Sequence, residues 1–283
     1  EFEAQYDVIR KKNWNWSVGF NLSHNKNMLR KTYNGEDLND KVLGRPVYGI
    51  YTFKDEGIVQ KEEDIPMYLN ASGKQIPLYF QSINNPLRVG GRKIKDQNYD
   101  GVIDDKDLYY AGSTLPAVYG GLNSHLEWKG LSFDVLFSYT ISRKVMNMYK
   151  NSAFTFTKDF GVIMNYFHAN DFWTTSNRGA KYPSLEFADK DYVGQFDGNV
   201  DSNIENISFL RLKQLVIGYQ IPKNWLKGSF IKDANVYLSG ENLFLLTNYS
   251  GVDPEIINPY SGKDDGTQYP LNRKVTLGLN LKF

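Results

Sequence analysis

The sequence predicts an all-β fold, a transmembrane antiparallel β-barrel of which this chain holds about seven strands. Apolar and polar residues alternate with a period of two over several segments of about ten residues, the length a barrel strand needs. Phe, Trp and Tyr make up 15% of the chain, yet its mean hydropathy is −0.49. The connections between these segments alternate between short and long, as in barrels with turns on one side of the membrane and loops on the other.

The clearest strand lies at the end of the sequence, where every second residue is apolar: Val275, Leu277, Leu279, Leu281 and Phe283. The same alternation marks the segments 14–22 and 131–139. Because successive side chains of a strand point to opposite faces, one face of each would contact lipid and the other a wet lumen.

Four weaker strands complete the predicted set: 2–9, 117–128, 209–220 and 235–246. The third of these carries Arg211, Lys213 and Gln214 among apolar residues, so we expect its charges to point inward, although its sidedness is ambiguous. Short turns are predicted at 10–13, 129–130 and 222–233. Long loops cover roughly 25–115, 143–206 and 248–271.

Seven strands do not close a barrel, because open edges leave backbone groups unsatisfied in lipid. We therefore expect the remaining strands to come from an N-terminal part absent from this chain, or from other subunits; the long loops favour the former. No apolar run approaches the roughly 20 residues of a membrane-spanning helix. A soluble β-sandwich also alternates, but its connections rarely approach the length of the first loop.

Composition excludes several kinds of site. The formal net charge of +1 gives no indication of a nucleic-acid partner, and the absence of cysteine excludes disulfides, thiol catalysis and Cys-ligated zinc. The three histidines, His24, His125 and His168, are far apart and lack zinc-site spacing. No catalytic constellation is recognisable, so an enzyme is not expected.

The run 96–107 matches a calcium loop at its first, third, fifth and sixth positions. The predicted ligands are Asp96, Asn98, Asp100, the Val102 carbonyl, Asp104 and Asp107, with Gly101 at the sharp turn. The twelfth position is Asp rather than Glu, which shortens its reach. Bound calcium would brace the loop without a catalytic role; the alternative is a turn whose side chains accept bonds from its own backbone.

The second long loop is rich in aromatic residues. Their faces stack on sugar rings and also bind apolar peptide side chains. The predicted substrate-contacting residues are Tyr166, Phe167, Phe172 and Trp173. The alternative is that these rings pack loop against loop, or against a partner protein.

Several motifs resemble, in order, the C-terminal region of SusC/RagA-type TonB-dependent transporters of Bacteroidota. Each is weak alone, but together they span nearly the whole chain: Gly44-Arg45-Pro46, Tyr48-Gly49-Ile50-Tyr51, Asp55-Glu56-Gly57-Ile58, the Asp-rich run 96–107, Gly112-Ser113-Thr114-Leu115-Pro116, Phe209-Leu210-Arg211-Leu212-Lys213, Gly218-Tyr219, Pro222, Ser239-Gly240-Glu241-Asn242-Leu243-Phe244, Tyr249-Ser250-Gly251-Val252-Asp253-Pro254-Glu255 and the terminal strand closing on Phe283.

This resemblance implies a barrel of about 22 strands in the bacterial outer membrane, with extracellular long loops and an internal plug. It also implies a SusD-like surface lipoprotein as a lid, and import of oligosaccharides or oligopeptides driven through TonB. Residues 1–283 would then be the C-terminal barrel portion, with the plug, the TonB-contacting segment and the first strands absent. The alternative is a surface-exposed glycan-binding or structural β-protein without transport.

Overall fold

The structure is a computed structural model that describes residues 1–37, 41–148, 168–188 and 199–283. Seven long strands form its framework: β1 (Phe2–Lys11), β2 (Trp14–Ser23), β3 (Val118–Trp128), β4 (Leu131–Asn147), β5 (Ile204–Gln220), β6 (Asp233–Thr247) and β7 (Lys274–Lys282). Short 3-10 turns occur at Glu62–Asp64, Asp105–Asp107, Ala169–Asp171, Leu185–Ala188, Asp201–Asn203 and Lys223–Trp225. Within the described ranges, no helix is long and apolar enough to cross a membrane.

The seven strands form one sheet in which each strand pairs with its neighbour in sequence, always antiparallel. All seven predicted strands are confirmed. β4 and β5 are longer than predicted, at 17 residues each. Their additional residues extend past the neighbouring strands into the loops, where Lys263–Asp264 pairs in parallel with the end of β4.

The two faces of the sheet differ sharply in polarity. Directly paired residues share a face, so the pairing places Phe20, Leu122, Phe137, Leu212 and Phe244 in one row across five strands. An adjacent row on the opposite face carries no apolar side chain over four strands, at Asn21, Gly121, Ser138 and Arg211, and ends at Leu245 of β6. One face therefore suits lipid and the other a watery lumen.

A bulge explains the ambiguous alternation in β5. The register with β4 shifts between Leu136 and Phe137, which oppose Gln214 and Leu212, so Lys213 is the extra residue and has no directly opposed partner on β4. Leu212 and Leu215 consequently both lie on the apolar face although they are three positions apart in sequence. A period-two pattern cannot be read across such an insertion.

Aromatic rings line the apolar face at the end that carries the short turns. Trp14 lies 5.9 Å from Trp128, and Phe230 stacks on Phe283 at 5.5 Å, measured between ring centroids. Between the first and last of its 11 residues β3 advances by about ten steps of about 3.3 Å, which at a tilt of about 40° gives a height of roughly 25 Å. That height matches the apolar band of an outer-membrane barrel.

The first long loop forms a layer with its own small core. Its short strand pairs are Gly49–Thr52 with Tyr109–Ser113, Asp55–Ile58 with Arg92–Ile94, Met67–Leu69 with Gln75–Pro77, and Tyr79–Phe80 with Val102–Ile103. Seven buried side chains pack between them: Val59, Leu78, Phe80, Leu87, Ile94, Ile103 and Val200. Val200 comes from the segment before β5, so two predicted loops share one core.

Candidate functional site

The inner face of the wall carries a charged cluster on β3 and β4. His125 Nδ1 lies 2.5 Å from an Asp134 carboxylate oxygen, and its Nε2 lies 3.5 Å from Glu127. All three side chains are roughly half exposed, so they face the lumen rather than a dry core. Imidazole and carboxylate groups in this position can hydrogen-bond a polar solute or another polypeptide segment.

A buried ion pair fixes the third long loop to the wall. Arg211 of β5 donates to Asp253 with an Nη2–Oδ1 distance of 2.5 Å, and both side chains are only 3% exposed. Glu255 lies 2.6 Å from Arg211 Nε and also contacts Lys213. Backbone N–H groups of Glu255 and Leu271 donate to the Asp253 carboxylate. We call the Arg211–Asp253–Glu255–Lys213 network the latch.

A second set of contacts holds the same loop at the top of β4 and β5. Tyr249 donates its hydroxyl hydrogen to Asp264, and burial together with that carboxylate raises the pKa of Tyr249 above its ordinary value. Glu205 accepts from the Ser250 backbone N–H at 3.0 Å and from the Asn147 amide at 2.8 Å. The loop is thus anchored on both strands.

Arg143 connects two loops through backbone carbonyls. It is 7% exposed and donates to the carbonyls of Thr114 at 3.0 Å, Ile257 at 3.1 Å and Asn258 at 3.3 Å. The Thr114 hydroxyl adds a hydrogen bond of 2.8 Å to the carbonyl of Pro259. The first and third loops are therefore joined directly above the wall.

Asp201 joins the first loop to the segment before β5. Its carboxylate accepts from Lys54 Nζ at 2.6 Å, the Tyr109 hydroxyl at 2.7 Å and the Asp55 backbone N–H at 2.9 Å. Burial raises the pKa of Asp201, but the bonds from Lys54 and Tyr109 outweigh it and hold that pKa below its usual range. Arg92 adds a buried ion pair with Asp55.

The predicted calcium loop is satisfied by its own backbone. Asp96 accepts from the N–H groups of Tyr99 at 2.6 Å and Gly101 at 2.8 Å. Asp107 accepts from Gln97 at 2.7 Å and from Asp104 at 2.9 Å, and Asp104 caps the following turn through Lys106 N–H. Asp100 accepts from Val102 N–H, and the Asn98 amide donates to Asp100.

This arrangement matches the alternative given by the sequence, a turn whose side chains accept hydrogen bonds from its own backbone. Among the described residues, no three His, Cys, Asp or Glu side chains are grouped so that they could hold a metal ion. The six residues fit calcium only if their carboxylates turn from backbone N–H groups toward a common centre. Calcium binding therefore stays a prediction, and one that requires a rearranged loop.

The four aromatic residues predicted to contact substrate fall into two pairs. Tyr166 and Phe167 lie outside the described residues. Phe172 and Trp173 are 3% and 7% exposed; Phe172 contacts the Tyr182 ring, and the Trp173 indole donates to Gln60 at 3.0 Å. These two rings thus pack loop against loop in this structure, and substrate contact by them remains a prediction.

Known proteins are similar to this chain over its whole length. TonB-dependent receptor P26 of Formosa agariphila is 30% identical over 296 residues, covering 100% of this chain and 28% of that protein. TonB-dependent receptor SusC of Bacteroides thetaiotaomicron is 26% identical, again over the full chain and 26% of that protein. Over its whole length this chain is similar to TonB-dependent receptors of the SusC type. A search against protein-family models found no match.

Solved structures show the same fold. The RagAB peptide transporter superposes with a TM-score of 0.69 at 23% identity, covering 99% of this chain and 28% of that one. The RagAB peptide importer in its "open-open" state gives 0.65 at 24% identity. The sheet is therefore a segment of a larger barrel, and the chain spans about 28% of the length of the relatives it matches.

The latch is the feature that the sequence analysis did not predict. Its residues belong to two separate sequence motifs. One motif contains Arg211 and Lys213, and the other contains Asp253 and Glu255. The sequence does contain the complementary charges of this network, two basic residues that face inward from a strand and two acidic residues in a following loop. Sequence alone gave no distance between segments 42 residues apart.

Proposed function

We propose that this chain supplies part of the barrel wall and the outer loops of a TonB-dependent importer in the bacterial outer membrane. The observation that carries the proposal is the sheet itself, which is apolar across one face and polar across the other. The whole-chain similarity to TonB-dependent receptors supports it. The loops, tied together above one end of the wall, would then be extracellular.

The proposed cargo is an oligosaccharide or an oligopeptide. The lumen-facing His125, Glu127 and Asp134 offer both donors and acceptors, which suits sugar hydroxyls and peptide groups alike. The similarity to RagAB favours peptide, since RagAB is a peptide transporter. The name SusC does not specify a cargo class.

The proposed partners are a SusD-like surface lipoprotein and TonB. A lipoprotein lid would rest on the loop layer, which Asp201, Arg143 and the latch hold as a connected surface above the lumen. TonB would be contacted by an N-terminal part that this chain does not contain. Outer-membrane lipid would cover the apolar face.

Uptake by intact cells tests the proposal. Cells with and without the full-length gene receive fluorescent oligosaccharides or fluorescent oligopeptides of matched mass, each with and without TonB. We expect accumulation of one cargo class that requires both the gene and TonB. Accumulation independent of TonB, or unaffected by loss of the gene, would contradict import by this protein.

Solubility distinguishes an outer-membrane importer from the alternative, a surface protein that does not transport. A glycan-binding or structural β-protein would stay monomeric in buffer, whereas a wall with an exposed apolar face requires detergent. Sedimentation of the purified full-length protein with and without detergent distinguishes them. Solubility without detergent would favour the alternative.

A further inference from the structure

A rim of basic and neutral polar side chains lies directly above the apolar face of the wall. The outward-facing side chains that continue the strands past the apolar band are hydroxyl, amide, imidazole or ammonium groups: His24, Ser142, Lys144, Asn206, Ser208 and Asn248. Below them the outward residues are apolar, including Ile141 at 49% and Leu246 at 60% exposure. The change from apolar to polar marks the level of lipid headgroups.

The outward direction of this rim follows from the pairing. Arg143 pairs with Ile207, and both are buried on the inner side against the loops. Lys144 pairs with Asn206, so these two point to the opposite, outer side, where both are exposed. The Ser142 hydroxyl donates to the Asn206 amide oxygen at 3.1 Å on that same side.

A cavity of about 310 Å³ opens in the rim between the end of β2, the start of β3 and residues Ser142 and Lys144 of β4. Among the described residues that line it, the charged or ionisable ones are His24, Lys26 and Lys144, and none is Asp or Glu. Lys144 Nζ donates to the Ala111 carbonyl at 2.6 Å, which occupies one of its three donors and holds the ammonium over Gly112. Among the described residues, neither lysine forms a salt bridge.

We infer that this cavity binds the phosphate of a glycolipid headgroup in the outer leaflet. Two lysines that have no carboxylate partner among the described residues lie beside a neutral hydroxyl- and amide-bearing surface, and together they complement an anion with sugar hydroxyls around it. The site is continuous with the lipid-covered face, so its occupant can keep its acyl chains on the apolar band. The inference rests on the outward loop orientation proposed above.

The test uses the full-length transporter purified in detergent, with Lys26→Gln and Lys144→Gln combined. The matched control is Lys223→Gln with Lys227→Gln, which removes the same charge from exposed positions at the opposite end of the sheet. Native mass spectrometry measures binding of phosphorylated lipid A, of the same lipid A after phosphatase treatment, and of inorganic phosphate. Heat-modifiable electrophoretic mobility confirms that each variant has folded.

We expect the paired substitution at Lys26 and Lys144 to weaken binding of phosphorylated lipid A by roughly 30-fold, at the strength typical of two lysines near an anionic surface. The control pair should bind like the parent, and dephosphorylated lipid A should bind weakly to every variant. Equal binding by both variants, or equal binding of both lipids, would overturn the inference. Inorganic phosphate binding as tightly as the lipid would overturn the assignment to a headgroup.

This outcome is separable from that of the proposed function. A protein that needs no detergent would contradict the outer-membrane proposal itself. A detergent-dependent importer whose lipid binding ignores Lys26 and Lys144 would contradict only the headgroup site.

Discussion

At the scale of single residues, buried guanidinium groups hold the loops on the wall. Arg211 and Arg143 are 3% and 7% exposed, and each bonds to a different loop segment. Removing a charge from water is costly unless hydrogen bonds replace its hydration. These arginines meet that condition only while the loops remain in place, so loop position and wall integrity depend on each other.

Arg211→Gln tests the latch. Breaking a buried ion pair by removing one partner typically costs about 3–5 kcal/mol, and we expect the lower end because backbone N–H groups still donate to Asp253. The free energy of unfolding of the full-length protein, from guanidinium titration in detergent, measures the loss. The control is Lys274→Gln, whose ion pair with Glu241 is largely exposed and should matter by less than about 0.5 kcal/mol. Equal losses in the two variants would remove the latch as a stabilising element.

Calcium binding by the run 96–107 is a second prediction at this scale. The sequence pattern predicts heat on titration with millimolar calcium, with the ion drawing the carboxylates of Asp96 and Asp100 away from backbone N–H groups. Asp96→Asn with Asp100→Asn should abolish that heat. Glu62→Gln with Glu63→Gln, in an exposed turn of the same loop, is the matched control. Absence of heat in the unsubstituted protein would contradict calcium binding and would leave the turn that is hydrogen-bonded to its own backbone as the interpretation.

At the scale of elements, strands were predictable from sequence and the loop layer was not. In β7 the period-two pattern is local, so Val275 to Leu281 can be read directly. The bulge at Lys213 and the extensions of β4 and β5 arise from contacts with segments distant in sequence. The small core that includes Leu78 and Val200 was hidden for the same reason, because its members come from two loops.

The environment of Tyr68 predicts that the loop layer loses stability at alkaline pH. Burial and the nearby Asp96 carboxylate raise the pKa of Tyr68 from 10.0 to about 12. A group whose pKa is raised by folding contributes stability that is complete below the unfolded value and is lost as pH rises through the folded one. We therefore expect the guanidinium midpoint of the full-length protein to fall between pH 10 and about pH 12. Tyr68→Phe should flatten that fall, whereas Tyr33→Phe, at a side chain 90% exposed, should not. An unchanged profile in Tyr68→Phe would contradict the assignment.

At the scale of the whole molecule, the decisive feature is the pair of sheet edges. β1 pairs only with β2, and β7 pairs only with β6, within the described residues. Backbone N–H and C=O groups along the outer sides of β1 and β7 would face hydrocarbon, where each unpaired group costs several kcal/mol. The wall must therefore continue on both sides when it lies in a membrane.

Continuation of the wall predicts the mass of the functional protein. A chain of 32.5 kDa that spans 28% of its relative implies a whole of about 116 kDa. Intact mass spectrometry of protein purified from outer membranes, run denatured and native, measures it directly. A single chain near that mass, copurifying with a lipoprotein, would mean that both edges pair within one polypeptide and that a lid partner is retained. Several copies of a 32.5 kDa chain in one detergent-dependent complex would mean instead that edges of neighbouring subunits close the wall, and a soluble 32.5 kDa monomer would exclude a membrane wall altogether.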